Sequence, residues 1–155
     1  MIIGCDLALL HGSLVNSNGD VLFAYSGRKG MSVSSEELYA LAQELVLHTP
    51  RESTLVIDWD RHSGFWGGSR SPEVAVLITM LVSFYGGLAQ AKKKCDVHYV
   101  TPELVRFCLG LPPMCRKSEV HDHVAPITPA HLPRDIEGDN VDAWLLTHVF
   151  ECSTK

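Results

Sequence analysis

The sequence predicts an α/β fold: one mixed sheet, an antiparallel meander continued by parallel strands, with helices flanking it. Three observations carry this. Three short apolar runs with turn signals between them fill the first 25 residues. Later strand-like runs alternate with stretches of helical periodicity, as parallel strands require. Two of the strand-like runs end on an aspartate, at Asp6 and Asp58.

The first run, Met1 to Asp6, is apolar up to its carboxylate. A strand buried on both faces has no low-energy place for an ionised Asp, so Asp6 belongs at a strand end facing a cleft. Leu7 to His11 is a connection, Gly12 to Ser17 a second strand, and Asn18-Gly19 a hairpin turn before the return strand Val21 to Tyr25. Gly27 to Val33 reads as loop. Ser34 followed by Glu37 has the form of a capping box, and Leu38, Leu41, Ala42, Leu45 and Val46 recur at helical spacing up to Pro50. Leu55 to Trp59 is the next strand, parallel to the first because a helix joins them. Parallel strands present their C-terminal ends at one edge, and this brings Asp58 to Asp6.

Arg61 to Arg70 is a Gly-rich loop. Ser71-Pro72-Glu73 then opens a helix to about Lys94 that is apolar nearly all round, which predicts burial on more than one side. Val97 to Val100 is a short strand, and Thr101-Pro102-Glu103 caps a helix ending near Gly110. Residues 111–133 hold five prolines and read as irregular, with a turn or two of helix over Lys117 to Val124. Asp139 to Phe150 is an amphipathic helix.

At 155 residues, 46% hydrophobic and 20% charged, the chain has the balance of one soluble globular domain spanning 1–155. The longest apolar stretch, Val74 to Leu88, is interrupted by Thr79 and Ser83, so no membrane span is expected. The start shows no basic leader, and a cytoplasmic location (a host's cytoplasm, were the source viral) is the expectation. Five scattered cysteines argue for reduced thiols. The formal charge of −5 argues against general polyanion binding, but residues 92–117 hold six Lys/Arg (92, 93, 94, 106, 116, 117) against Asp96 and Glu103.

Asp139 and Asp142, three apart at a helix start, share a face. Alone they would be read as complements of the helix dipole. With Asp6 and Asp58 they make a four-carboxylate cluster. Like charges about 4 Å apart repel by roughly 4 kcal/mol per pair at an effective dielectric near 20. Such a cluster needs raised pKa values or bound cations, and hard carboxylate oxygens suit Mg²⁺ or Mn²⁺. Asp60 shares the strand face of Asp58 by period two and is an alternative ligand.

Gly4-x-Asp6, Ile57-Asp58 at a strand end, and Asp139-x-x-Asp142-Ala143 opening the last helix resemble the RuvC-type Holliday-junction resolvases. Arg116-Lys117-Ser118-Glu119-Val120 falls where that family carries a Lys-x-x-Val segment. The likeness spans almost the whole chain in the same order. It implies an RNase H-like fold, two Mg²⁺ ions on Asp6, Asp58, Asp139 and Asp142, and Mg-dependent cleavage of four-way or branched DNA. It also implies Lys117 beside the scissile phosphate and a homodimer, which agrees with the over-apolar helix 73–94. Asp58 stands where the family usually has Glu, so its reach is one methylene shorter.

In the Gly-rich loop Phe65 and Trp66 are candidates to stack on unpaired bases, and Arg61 and Arg70, with Arg116 and Lys117, to contact phosphate. Cys108, Cys115, His121 and His123 have spacings that match no tight zinc pattern. His11, near Asp6, is a candidate to touch the site, with a satisfied structural histidine the commoner reading. Two other functions stay open. One is a non-cutting junction or nucleic-acid binder, favoured by the acidic charge and short Asp58. The other is a different RNase H-like nuclease. Gly4-x-Asp6 before a hairpin also resembles a sugar-kinase phosphate loop, but that fold needs a second comparable domain.

Overall fold

Strand sidedness organises the molecule. In β1 (Ile2–Leu7), Ile3, Cys5 and Leu7 point to one face of the sheet, so Ile2, Gly4 and Asp6 point to the other. β2 (Gly12–Asn16) and β3 (Val21–Tyr25) complete the antiparallel meander. β4 (Thr54–Asp58) and β5 (Asp96–Val100) lie parallel to β1 on its other side. The strand order is β3-β2-β1-β4-β5, with β1 in the centre. A computed structural model describes residues 1–26, 34–59 and 72–154. The expected loops over 27–33 and 61–70, and the expected cap Ser71, lie outside the described residues.

One face is covered by α1 (Ser35–Leu47) and α2 (Pro72–Lys93), whose Leu38, Leu45, Leu81 and Tyr85 pack on Ile3, Cys5 and Ile57. The Ser34 hydroxyl accepts the Glu37 N–H at 3.2 Å, as the capping box predicts. Within this core the Tyr85 and Thr49 hydroxyls share a 2.8 Å hydrogen bond, so both polar groups are satisfied where no water reaches. On the opposite face lie α3 (Pro102–Cys108), α4 (Lys117–Val124) and α5 (Asp139–Ser153), packed over Val15, Val56 and Val100. Lys117 to Val124 is thus a full helix, and the last helix runs one turn past Phe150.

At the hairpin, the Asn16 side chain accepts the N–H groups of Asn18 and Asp20, and of the two turn residues Gly19 alone has positive φ. The indole of Trp144 donates to Ser17 O at 3.3 Å, tying α5 to the hairpin tip. Glu73–Lys93 of α2 is long and apolar enough to cross a membrane, by length and composition only, and 28% of that window is buried within the chain. Its side away from α1 includes Val76, 60% exposed. Packed both on the sheet and against α1, the helix meets the expectation of burial on more than one side.

Glycine at position 4 sets how α5 docks. A Cβ there would lie 1.7 Å from the carbonyl oxygen of Ala143 and 2.7 Å from its carbon, both backbone atoms that cannot rotate away. The helix therefore rests directly on the strand. Gly4→Ala is expected to destabilise the protein by about 3 kcal/mol or more, the upper range for overpacking. Gly87→Ala in α2, where an added Cβ meets nothing within 4 Å, is expected to stabilise by about 0.5–1 kcal/mol. Urea denaturation of the two variants checks both signs.

Candidate active site

Close docking of α5 on Gly4 decides which side chains meet. Asp6 follows two residues after Gly4 on the same face of β1. Cys5 pairs with Ile57, so Asp58, at the end of β4 and on the face of Val56, comes alongside Asp6. From above, the first turn of α5 brings down Asp139 and Asp142. Carboxylate oxygens of Asp6, Asp139 and Asp142 lie within 4.8 Å of one another. Asp58 lines the same cleft, a cavity of about 200 Å³, without joining that group of three. All four acids expected from the sequence thus face one cleft, at the C-terminal ends of β1 and β4.

The start of α5 is built to hold this position. Gly138 has a left-handed φ of 75°, and the Asp135 carboxylate accepts the N–H groups of Asp139 (2.9 Å) and Asn140 (3.0 Å), doing the work of a cap from three residues upstream. A Cβ on Gly138 would come 2.7 Å from Cε1 of His121, so glycine also makes room for that ring. His121 Nε2 donates to Asp142 Oδ1 at 2.6 Å. The Lys117 ammonium donates to Asp142 Oδ2 at 2.6 Å and to Glu137 O at 2.6 Å. On the other side, His11 Nδ1 donates to Asp139 Oδ2 at 2.6 Å.

Asp6 opens partly to the cleft yet is packed round by protein atoms, and the packing governs its solvation. Burial first, then the charges of Asp58, Asp142 and Asp139, push its carboxyl well above the ordinary range; Lys117 offsets part of this. Burial also raises Asp139, against the lowering effect of the His11 hydrogen bond and charge, and Asp6 stands within hydrogen-bonding reach of it. Burial of the Lys117 ammonium opposes its charge, but the charge of Asp142, the hydrogen bond to it, and Asp6 and Asp139 outweigh this and raise its pKa.

Two residues at the site differ from their sequence reading. His11 touches the site through Asp139 rather than serving a structural role alone, and His121 is bonded to Asp142. The signals were present: His11, Ser13 and Val15 alternate onto one face, and His121 lies four residues after Lys117 on one side of a helix. The zinc grouping does not form. Cys108 is exposed, and among the described residues the groups able to hold a metal ion consist of aspartates and a glutamate. Ser13, paired across from Asp6, carries the one buried side-chain polar atom among the described residues that has no hydrogen-bond partner.

The basic stretch divides in two. Lys92 and Lys93 end α2 beside Arg51 and Glu52, at the N-terminal edge of β4, away from the acids. Lys117 and Arg106 line the cleft, but the Arg106 guanidinium is held by Cys115 O and Pro102 O. Arg116 is exposed at the start of α4, 4.0 Å from Glu119. Asp60, Arg61, Phe65, Trp66 and Arg70 lie outside the described residues.

No protein-family model matches the chain, and no curated protein matches it in sequence. Solved structures do match it. The fold is that of RuvC. Thermus thermophilus RuvC superposes with a TM-score of 0.63 at 17% identity, covering 99% of this chain and 95% of that one. T. thermophilus RuvC in complex with a Holliday junction substrate gives 0.62 at 19%, covering 99% and 94%. The yeast mitochondrial Holliday junction resolvase gives 0.60 at 14%, covering 97% and 77%. The expected RNase H-like fold is therefore observed over nearly the full chain.

The folded chain holds the Asp6 proton more tightly than the unfolded chain, whose carboxyl stays near 3.8. Stability associated with that proton is full below about pH 4 and is lost as pH rises towards the folded value. In metal-free buffer Asp6→Asn is therefore expected to melt above the wild type at pH 7, by roughly 2–4 °C for each kcal/mol of relieved repulsion. The difference should vanish near pH 3.5. Calorimetry across that range checks it, and a wild type at least as stable at pH 7 would contradict it.

Proposed function

We propose that this protein is a divalent-metal-dependent endodeoxyribonuclease that resolves four-way or branched DNA junctions. The observation that carries the reading is the convergence of Asp6, Asp139 and Asp142, with Asp58 beside them, in one cleft of a RuvC-like fold. The neighbours in that fold include a RuvC bound to a Holliday junction and a mitochondrial junction resolvase.

The donor set fits Mg²⁺ or Mn²⁺. It offers hard carboxylate oxygens and no imidazole or thiolate in the group of three, and the carboxylate repulsion that adds to burial in raising Asp6 is what a divalent cation relieves. Asp6, Asp58, Asp139 and Asp142 would hold the ions, two in number by analogy with the fold. When bound, such ions supply an activated water and neutralise charge on the phosphodiester. The chain's own groups do the rest. Lys117 exchanges Asp142 for a phosphate oxygen and holds the backbone in the cleft, and Arg116, exposed at the start of α4, adds a phosphate contact. Arg61, Phe65, Trp66 and Arg70 belong to the same DNA-facing proposal on sequence grounds.

A homodimer is part of the same proposal: paired incisions require two clefts, and Val76 on α2 is an exposed large hydrophobic, set among the exposed Glu73, Thr79 and Ser83. A cytoplasmic location, in a cell or a virus's host, remains part of the proposal. To the acidic charge and the short Asp58, which favour the non-cutting reading, is added the engagement of both oxygens of Asp142 by Lys117 and His121.

Purified protein incubated with a synthetic four-way junction, plain duplex, fork and RNA–DNA hybrid, in Mg²⁺, Mn²⁺ or EDTA, tests the proposal. Symmetric nicks in the junction are expected with either metal, with none in EDTA. Asp6→Asn should lower the cleavage rate by at least about 10³-fold, on the scale of removing one member of a group that acts as a unit. Lys117→Ala should retain metal binding while cutting far more slowly. Junction binding without products would select the non-cutting reading, and cutting confined to the hybrid would keep the metal site but change the substrate. In sedimentation velocity, wild type is expected to run as a dimer and Val76→Asp as a monomer with cleft chemistry intact on a nicked substrate.

A further inference from the structure

Four histidine–aspartate pairs occur among the described residues. His98–Asp96 (3.0 Å) and His131–Asp20 (3.6 Å) lie on the surface, their imidazoles 42% and 61% exposed. His11–Asp139 and His121–Asp142 are both 2.6 Å, with imidazoles 30% and 21% exposed, and their aspartates are two of the three clustered acids. Separate elements supply them. His11 comes from the connection before β2 and His121 from α4, and each meets one acid of the same helical turn. The His121 place is also reserved in the backbone, since Gly138 has no Cβ where the ring lies.

We propose that His11 and His121 are positioning residues for divalent-cation binding, each locking the plane of one carboxylate through one oxygen so that its second oxygen is presented to the cleft. The inference rests on the metal-binding part of the function proposed above. A carboxylate turns readily about its last torsion, and a cation that must stop this motion binds more weakly. One imidazole N–H on one oxygen removes the freedom beforehand. Lys117 has the opposite effect on the same acid. It sits on Asp142 Oδ2, the oxygen left by His121, and its full positive charge competes with an incoming cation. Two donors on one carboxylate thus act with opposite sign.

Calorimetric titration of the full chain with Mn²⁺, without DNA, separates these roles. His121→Ala and His11→Ala are each expected to bind Mn²⁺ about 10- to 100-fold more weakly than wild type, the usual cost of losing a partner of a metal ligand. His121→Gln, whose amide reaches as Nε2 does, and His11→Asn, whose amide stands in for Nδ1, should return to within a few-fold. Lys117→Met should bind several-fold more tightly. Melting in EDTA reports folding, and if alanine leaves either site unfolded, Phe at that position fills the space without donating and takes its place. Donor-free variants that bind as wild type overturn the proposal, as does an amide variant that folds yet stays as weak. Loss of affinity in Lys117→Met equal to that in His121→Ala overturns it too, by showing that any partner would matter. A wild type with no saturable Mn²⁺ binding would instead overturn the metal reading itself, and this inference with it.

Discussion

The contact between Gly4 and the backbone of Ala143 is the constraint on which the rest depends. An ordinary helix-on-sheet packing keeps a layer of side chains between the two backbones. Here one side-chain layer is missing at a single point, and α5 drops onto the central strand beside its acidic end. Asp139 and Asp142, in the turn that leads up to Ala143, are lowered to the level of Asp6. Val141, Leu145, Leu146 and Val149 supply the holding energy, each about 1.5–3 kcal/mol when fully buried. The apolar side of α5 therefore provides the adhesion, and the glycine sets the depth.

Bringing the acids together is unfavourable in itself, and the surroundings show how the fold tolerates it. Burial raises Asp6 and Asp139, which keeps part of the charge neutral. Lys117, His121 and His11 take up oxygens of the two helix acids. None of these partners reaches the acids from the same element as its target, so the arrangement depends on tertiary packing rather than local sequence. Instability of this kind, placed in a cleft, is common where a protein binds something that relieves it.

Much of this was legible in the residues. Alternation along Ile2, Gly4 and Asp6, and the parallel pairing of Met1 to Asp6 with Leu55 to Trp59, are consequences of strand geometry, and they bring Asp58 to Asp6. The three-residue spacing of Asp139 and Asp142 did the same for a helix face. What linear spacing hid was anything set by the third dimension. Lys92 to Lys94 and Lys117 look like one basic stretch, yet β5 carries the chain from one edge of the sheet to the other between them. The spacing of His121 from Cys108 and Cys115 matches no zinc pattern and points to no other partner; that partner is Asp142, 21 residues on. The cap of α5 was missed because Asp135 reaches over the glycine that occupies the usual position.

Asp6 and the two acids of α5 are separated by more than 130 positions along the chain, and the intervening sheet must be in register before they can meet. Closing so long a loop costs entropy, and contacts of this span form late in folding. During synthesis β1 emerges first and waits for nearly the whole chain before α5 can seat on it. A nascent or partly folded molecule therefore exposes a lone aspartate and no assembled cluster. Assembly of the cleft is a property of the finished fold alone, so a half-made copy presents no carboxylate cluster to the cations around it.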